Sequence, residues 1–371
     1  MPNIKMPNID MPETDMPENT HHNEPQKTET QHNEAQNIKT QYSKPQNAET
    51  QHNEAQNIKT QYNEPQYAET QHNETQYTSK IIIITGATSG IGLATAKKLA
   101  AKGAYVIGTG RSNERCLQAE NEIRSSCPHA KVYYLASDLS SLSGVAGLAV
   151  MIRQRLEADG LDHIDVLINN AGTFSSWYVS TIDGFELQFA VNHQAPFRLT
   201  YELMPLLEHS AEGTVIGVSS GSHYRTRIHW KDVLLRKHYN CLLAYKQSKL
   251  ANVLFATELN RRLHISGSNI KAFALDPGLV NTDIGLKGTD GIVKKIWKMR
   301  SRSGTPVEHP ARSIAYLATE AEPRRTGAVY WKDCAPLKPS RYSQLEDVGS
   351  KLWELSERMC GIKFGLNPVD I

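Results

Sequence analysis

Four consecutive isoleucines, Ile81–Ile84, run straight into TGATSGIG, followed by IGLATAKKLAAKGA. A short, wholly apolar, β-branched run reads as a strand buried on both faces, as in a parallel sheet. Gly86, Gly90 and Gly92 then fall within seven positions. A backbone that turns sharply out of a strand and approaches a pyrophosphate needs positions without side chains. The amides of the next helix's first turn then face the anion. Within that helix Ile91, Ala94, Ala96 and Leu99 are available for burial, and Gly103 is expected to end it. Ala104–Gly110 supplies the next strand. The glycine spacing is G-x3-G-x-G rather than G-x-G-x-x-G, so its position between a strand and a helix carries the reading.

Further apolar strand candidates follow at βα spacing: 131–139, 164–172, 213–220 and 269–278. A last one, TGAVYW at 326–331, is expected to close the sheet. Alternating β and α elements predict an α/β fold, a Rossmann-type doubly wound parallel sheet. Ligands bind such sheets at the carboxyl ends of the strands. The unusual polar motifs TGATSGIG, GRS, SDL, NNAG, VSS and DPG all fall at those ends.

The first 79 of the 371 residues are different. They contain no Gly, Leu, Val, Phe, Trp, Cys or Arg. Such a segment cannot bury enough apolar surface to offset its conformational entropy, so it reads as a disordered repeat tail before one dehydrogenase-like domain, 80–371. From Thr20 the tail repeats every ten residues, too short a period and too polar for a stacked solenoid. His32, His52 and His72 recur in it. A metal-binding tail and a simple repeat expansion both fit that pattern; no metal site is assigned. The tail carries a net charge of −7 and the remainder +9. The positive excess is spread along the chain, which argues against a nucleic-acid surface.

Five cysteines without a CxxC pair suggest neither a disulfide framework nor a zinc site and fit a reducing, cytoplasmic setting. No signal peptide and no transmembrane-length apolar run is visible.

With TGATSGIG, NNAG, Asn192, Ser220 and YKQSK together in order, the chain resembles the short-chain dehydrogenase/reductase family over roughly residues 80–362. It is most similar to the retinol dehydrogenase-like branch, through TIDGFELQFAVNHQAPFRLT, AYKQSKLANVLFATEL, KLWELSERM and the gap of 25 between Ser220 and Tyr245. The resemblance implies catalytic roles. Tyr245 would be the general acid in carbonyl reduction and the base in alcohol oxidation. Lys249, four residues on and on the same helix face, would depress the Tyr245 pKa and hold ribose hydroxyls. Ser220 would orient the substrate oxygen. Asn192 would hold a water linking Lys249 to solvent.

It also implies cofactor contacts. Gly86, Ser89, Gly90, Ile91 and Gly92 match the pyrophosphate loop. Asp138 and Leu139 match the adenine pair. Asn169, Ala171 and Gly172 match the segment beside the adenine ribose and the sheet centre, and Pro277, Gly278 and Thr282 the nicotinamide loop. An acidic residue ending the second strand would bind a ribose 2′-OH, but here Gly110 is followed by Arg111, whose fork suits a phosphate. NADP is therefore expected ahead of NAD.

Phe174, Trp177, Tyr178, residues 223–230 and 283–309 are candidate substrate-pocket positions, pointing to a lipophilic carbonyl or alcohol. The basic amphipathic stretch 291–303 reads as a lid or as a lipid-surface contact. The family commonly forms dimers or tetramers, so a homo-oligomer is compatible. The alternative to an enzyme is a non-catalytic NADP(H)-binding sensor or scaffold that uses the repeat tail for interactions. The complete set Asn192, Ser220, Tyr245 and Lys249 speaks against it.

Overall fold

A computed structural model describes residues 80–280 and 304–366. The repeat tail with its histidines, Thr282 and the 291–303 stretch lie outside the described residues.

The isoleucine run forms β1 (Ile81–Ile84), and its alternation builds two cores. Ile81 and Ile83 pack into the cluster on one face of the sheet, Ile82 and Ile84 into the cluster on the other. All four are essentially inaccessible. A strand can bury both faces only where helices cover both. The chain provides these helices in alternation: α1 (Gly90–Ala101), β2 (Tyr105–Gly110), α2 (Asn113–Ser126), β3 (Val132–Ala136), α3 (Leu142–Ala158) and β4 (Val166–Asn169). A short α4 (Leu187–Phe189) passes through a π-helical turn, Ala190–Gln194, into α5 (Ala195–Glu208). Then come β5 (Thr214–Val218), α6 (Cys241–Ile265) and β6 (Lys271–Leu275). After the undescribed segment follow α7 (Glu308–Thr319), α8 (Glu322–Thr326), β7 (Tyr330–Lys332), β8 (Ala335–Pro336) and α9 (Glu346–Cys360).

The strand order is β3-β2-β1-β4-β5-β6-β7-β8, parallel up to β7. The order reverses between β1 and β4, which opens a crevice at their carboxyl ends. The expected closing strand is shorter than 326–331, and the sheet ends instead on β8, antiparallel to β7. Two residues that include a proline have too little pattern to be read as a strand, and proline is tolerated at such an edge.

Helix α1 starts at Gly90, and its buried stripe is Gly92, Thr95, Ala96, Leu99 and Ala100. Ala96 and Leu99 are thus buried as expected. Ile91 and Ala94 are only partly covered, and Ile91 packs against the cluster that holds Ile82 and Ile84. Gly103 follows the C-cap residue Lys102 with φ of 85°. Among the described residues, no helix is long and apolar enough to cross a membrane. All five cysteines are free thiols.

Candidate active site

The strand ends converge on one cleft of about 700 Å³, a size typical of small-molecule sites. At β1, Gly86 (φ 65°) and Gly90 (φ 55°) adopt the left-handed conformation that glycine tolerates. A Cβ on Gly92 would stand 2.3 Å from the Gly86 carbonyl oxygen, and one on Gly86 2.8 Å from the Ala171 Cα. The loop is tied down from β4: Asn170 Nδ2 donates to the carbonyls of Thr85 (2.8 Å) and Gly86 (3.1 Å). Thr85 Oγ1 accepts the amides of Asn170 and Ala171. Tyr134 donates its hydroxyl to the Ala87 carbonyl at 2.9 Å. The N-cap Ser89 makes no side-chain cap bond, so it leaves the first-turn amides of α1 to the cleft, where Ser89, Gly90, Ile91 and Gly92 form the wall.

Two exposed arginines stand past the end of β2. Arg111 was expected; Arg115, also in the cleft wall, was not, although it lies one helical turn further along. Asp138 and Leu139 line the adjoining wall, where Asp138 accepts the Ser140 amide and hydroxyl at 3.0 and 2.9 Å. Ala171, Gly172, Pro277 and Gly278 also border the cleft.

Asn169 does not. It is buried and donates to Thr200 Oγ1 at 3.3 Å, on the helix side of the sheet. Its neighbour Asn170 takes the cleft-facing place.

At the other end of the cleft, α6 presents Tyr245 and Lys249 in its first turns. Asn240 Oδ1 caps α6 by accepting the Leu243 amide at 2.9 Å. Ser219 Oγ pins it to β5 by donating to the Lys249 carbonyl at 2.7 Å. Tyr245 is hydrogen-bonded to Ser220, whose Oγ also donates to Ser222 Oγ at 3.0 Å and accepts the Ser222 amide at 3.1 Å. Lys249 Nζ donates to the Val218 carbonyl at 2.9 Å and lies 5.8 Å from the Tyr245 ring centroid.

Burial pushes Tyr245 up to about 12; the Ser220 hydrogen bond lowers it and the Asp276 charge raises it further. Burial pushes Lys249 down to about 8. The expected depression of Tyr245 by Lys249 is therefore not what this site produces on its own. Loss of water on burial is the largest cause of both shifts.

Asn192 is fully buried in the π-helical turn and does not line the cleft. Its Oδ1 accepts the Thr173 amide at 2.7 Å, and its Nδ2 donates to the Thr173 carbonyl and to Ser248 Oγ. It thereby ties the post-β4 segment to α6, between Tyr245 and Lys249. Glu186 caps α4 ahead of it by accepting the amides of Gln188 and Phe189.

Among the described residues, which leave out 283–303, the aromatic candidates lie outside the cleft wall. Phe174 is buried with its ring 5.7 Å from that of Tyr245. Trp177 is half exposed, and Tyr178 packs edge-on against Tyr239. The cleft's apolar lining includes Leu187, Val191, Leu279 and Val280 instead. Asp276 and Lys332 also line it; neither was expected as a site residue. Among the described residues there is no cluster of three or more metal-ligating side chains.

The short chain dehydrogenase family model matches residues 80–290. The chain is a short-chain dehydrogenase/reductase. Human retinol dehydrogenase 14 is 36% identical over 300 residues, covering 76% of this chain and 87% of the relative. Human retinol dehydrogenase 11 is 33% identical, covering 80% and 88%. A solved structure from Mycobacterium Paratuberculosis has 32% identity and a TM-score of 0.59, covering 77% of this chain and 94% of that one. A short chain dehydrogenase from Escherichia coli CFT073, solved with NADPH, shares the fold at 22% identity and a TM-score of 0.52, covering 71% and 100%. The enzyme thus belongs to the retinol dehydrogenase-like branch. It is an NAD(P)-dependent oxidoreductase that moves hydride between a nicotinamide cofactor and an alcohol or carbonyl group of a small molecule.

Proposed function

We propose that the enzyme prefers NADP and acts on a lipophilic aldehyde, ketone or alcohol, with Tyr245 as general acid and base. One observation carries the reading: Ser220, Tyr245 and Lys249 share a single cleft with the glycine loop, and the Arg111–Arg115 pair borders that same cleft.

The residues fit a dinucleotide. The cradle at Gly86 and Gly92 has no room for a Cβ, and the first-turn amides of α1 face it. Two guanidinium groups where a 2′-phosphate would lie support NADP, because planar forks bind phosphate oxygens in pairs. The apolar side chains Leu187, Val191, Leu279 and Val280 in the cleft wall support a lipophilic substrate, as do relatives named for retinol.

A nicotinamide supplies or accepts the hydride. The chain does the rest. Ser220 positions the substrate oxygen beside Tyr245. Tyr245 gives that oxygen its hydroxyl proton as the carbonyl is reduced, and takes the proton back in oxidation. Lys249 holds a charge behind it, fixed by the Val218 carbonyl. Asn192 positions α6 through Ser248. The five free thiols support a reducing, cytoplasmic setting, and residues 1–79 are proposed as an appendage to the catalytic domain, 80–371.

The test is consumption of NADPH and NADH by the full chain with retinal, medium- and long-chain aldehydes, steroids and quinones. Turnover of one lipophilic class with preference for NADPH is expected. Preference for NADH would overturn the cofactor assignment, and turnover confined to small polar carbonyls would overturn the substrate class.

A further inference from the structure

Asp276 directly follows β6 as a buried carboxylate in the wall of the cleft. Its Oδ1 accepts the Gly278 amide at 3.0 Å, which fixes the side chain. A Cβ on Gly221 would stand 2.9 Å from Asp276 Oδ2. The missing side chain next to Ser220 therefore lets the carboxylate lie against the catalytic serine's own loop. A carboxylate placed in the wall that it shares with Tyr245 acts on that hydroxyl through space.

We propose that Asp276 is an electrostatic positioning residue that holds Tyr245 as a proton donor, so that the site runs carbonyl reduction across the neutral range and alcohol oxidation only under more alkaline conditions. The proposal rests on the reading of Tyr245 as the acid–base group. A nearby negative charge disfavours the phenolate, which oxidation needs, and favours the phenol, which reduction needs. The carboxylate alters the pH range of each direction and leaves the overall equilibrium untouched.

The other groups around the carboxylate do not cancel it. His223 and Tyr224 face it from the loop after β5, Tyr330 from β7, and Tyr245 from α6. His223 is neutral here: its Nε2 accepts the Ser340 amide at 3.2 Å, which leaves Nδ1–H to donate to the Ser220 carbonyl at 2.9 Å. Among the described residues, four cations border the same cleft: Arg111 and Arg115 past the end of β2, and Lys249 and Lys332. Lys249 is turned to the Val218 carbonyl. Lys332 follows Trp331, whose carbonyl takes the Asp276 amide, and forms no ion pair with Asp276 within 4.0 Å among the described residues.

The experiment labels tyrosine at Cζ with carbon-13 in the full chain and follows the resonance lost in Tyr245→Phe. Asp276→Asn keeps the shape and an oxygen for the Gly278 amide; Asp276→Glu keeps the charge. About tenfold more phenolate at a fixed alkaline pH is expected in the asparagine variant, the effect of one unit in pKa, with the glutamate variant close to wild type. The oxidation rate profile is expected to move to lower pH by the same interval. An unchanged Tyr245 resonance in Asp276→Asn would overturn the proposal. Should that variant not fold, Asp276→Ser, whose hydroxyl can accept the Gly278 amide, is read in the same way. No substrate enters the resonance measurement, so its failure is separate from failure of the acid–base assignment, which Tyr245→Phe turnover tests.

Discussion

Lys249 is held in the fold at a cost. Its ammonium is buried, and burial lowers it from 10.5 to about 8. That difference corresponds to about 3 kcal/mol of unfavourable free energy at neutral pH. Replacement by methionine keeps the length and removes the charge. It also removes the bond to the Val218 carbonyl, worth about 1 kcal/mol. Lys249→Met is therefore expected to be more stable than wild type by about 2 kcal/mol at pH 7. The sign with pH follows from proton binding. Below the folded value both folded and unfolded states carry the proton, and the penalty is complete. As pH rises from about 8 toward 10.5, the folded chain has released the proton and the unfolded chain has not, so wild type gains stability relative to the variant. The advantage of the variant should shrink by about 2.5 kcal/mol between pH 7 and pH 10, leaving the two about equal. Urea unfolding of both proteins at the two pH values measures this. The raised tyrosines and thiols are common to both and cancel in the difference. A less stable variant at pH 7, or an advantage that does not change with pH, would refute the reasoning.

Arg111→Ala with Arg115→Ala should raise the KM for NADPH by about 10- to 100-fold, the scale of 1–3 kcal/mol for charge-assisted bonds, and leave that for NADH nearly unchanged; steady-state kinetics with both cofactors would show it, and an equal loss for both would contradict the 2′-phosphate role. Gly92→Ala places a methyl 2.3 Å from the Gly86 carbonyl and should destabilise the chain by about 1–3 kcal/mol while weakening NADPH binding. Calorimetric titration and thermal unfolding check it, and normal affinity would show that the loop yields.

The strand-and-turn grammar was legible because it follows from local chemistry. Ile81–Ile84 demand two covered faces, and Gly86, Gly90 and Gly92 demand a close approach; the structure supplies both. Side-chain direction at a strand end was less legible. Asn169 and Asn170 differ by one residue, and one residue changes the face, which nothing in NNAG specifies. Ile91 and Ala94 are less deeply buried than Ala96 and Leu99, since helix phase depends on where α1 begins. Asp276 and Lys332 stand at the ends of neighbouring strands, and their meeting at the cleft is a matter of sheet order. The pKa of Tyr245 needed tertiary structure altogether: the spacing to Lys249 places a cation nearby, but the depth of both groups decides the balance. β8 is too short, and too much an edge, to leave a pattern.

Proton transfer is the role proposed for Tyr245. Turnover of wild type and Tyr245→Phe with NADPH and a reducible lipophilic aldehyde tests it most directly, with NADPH affinity measured alongside. A loss of at least about 100-fold in turnover is expected, with affinity retained. Equal turnover in the two proteins would contradict it.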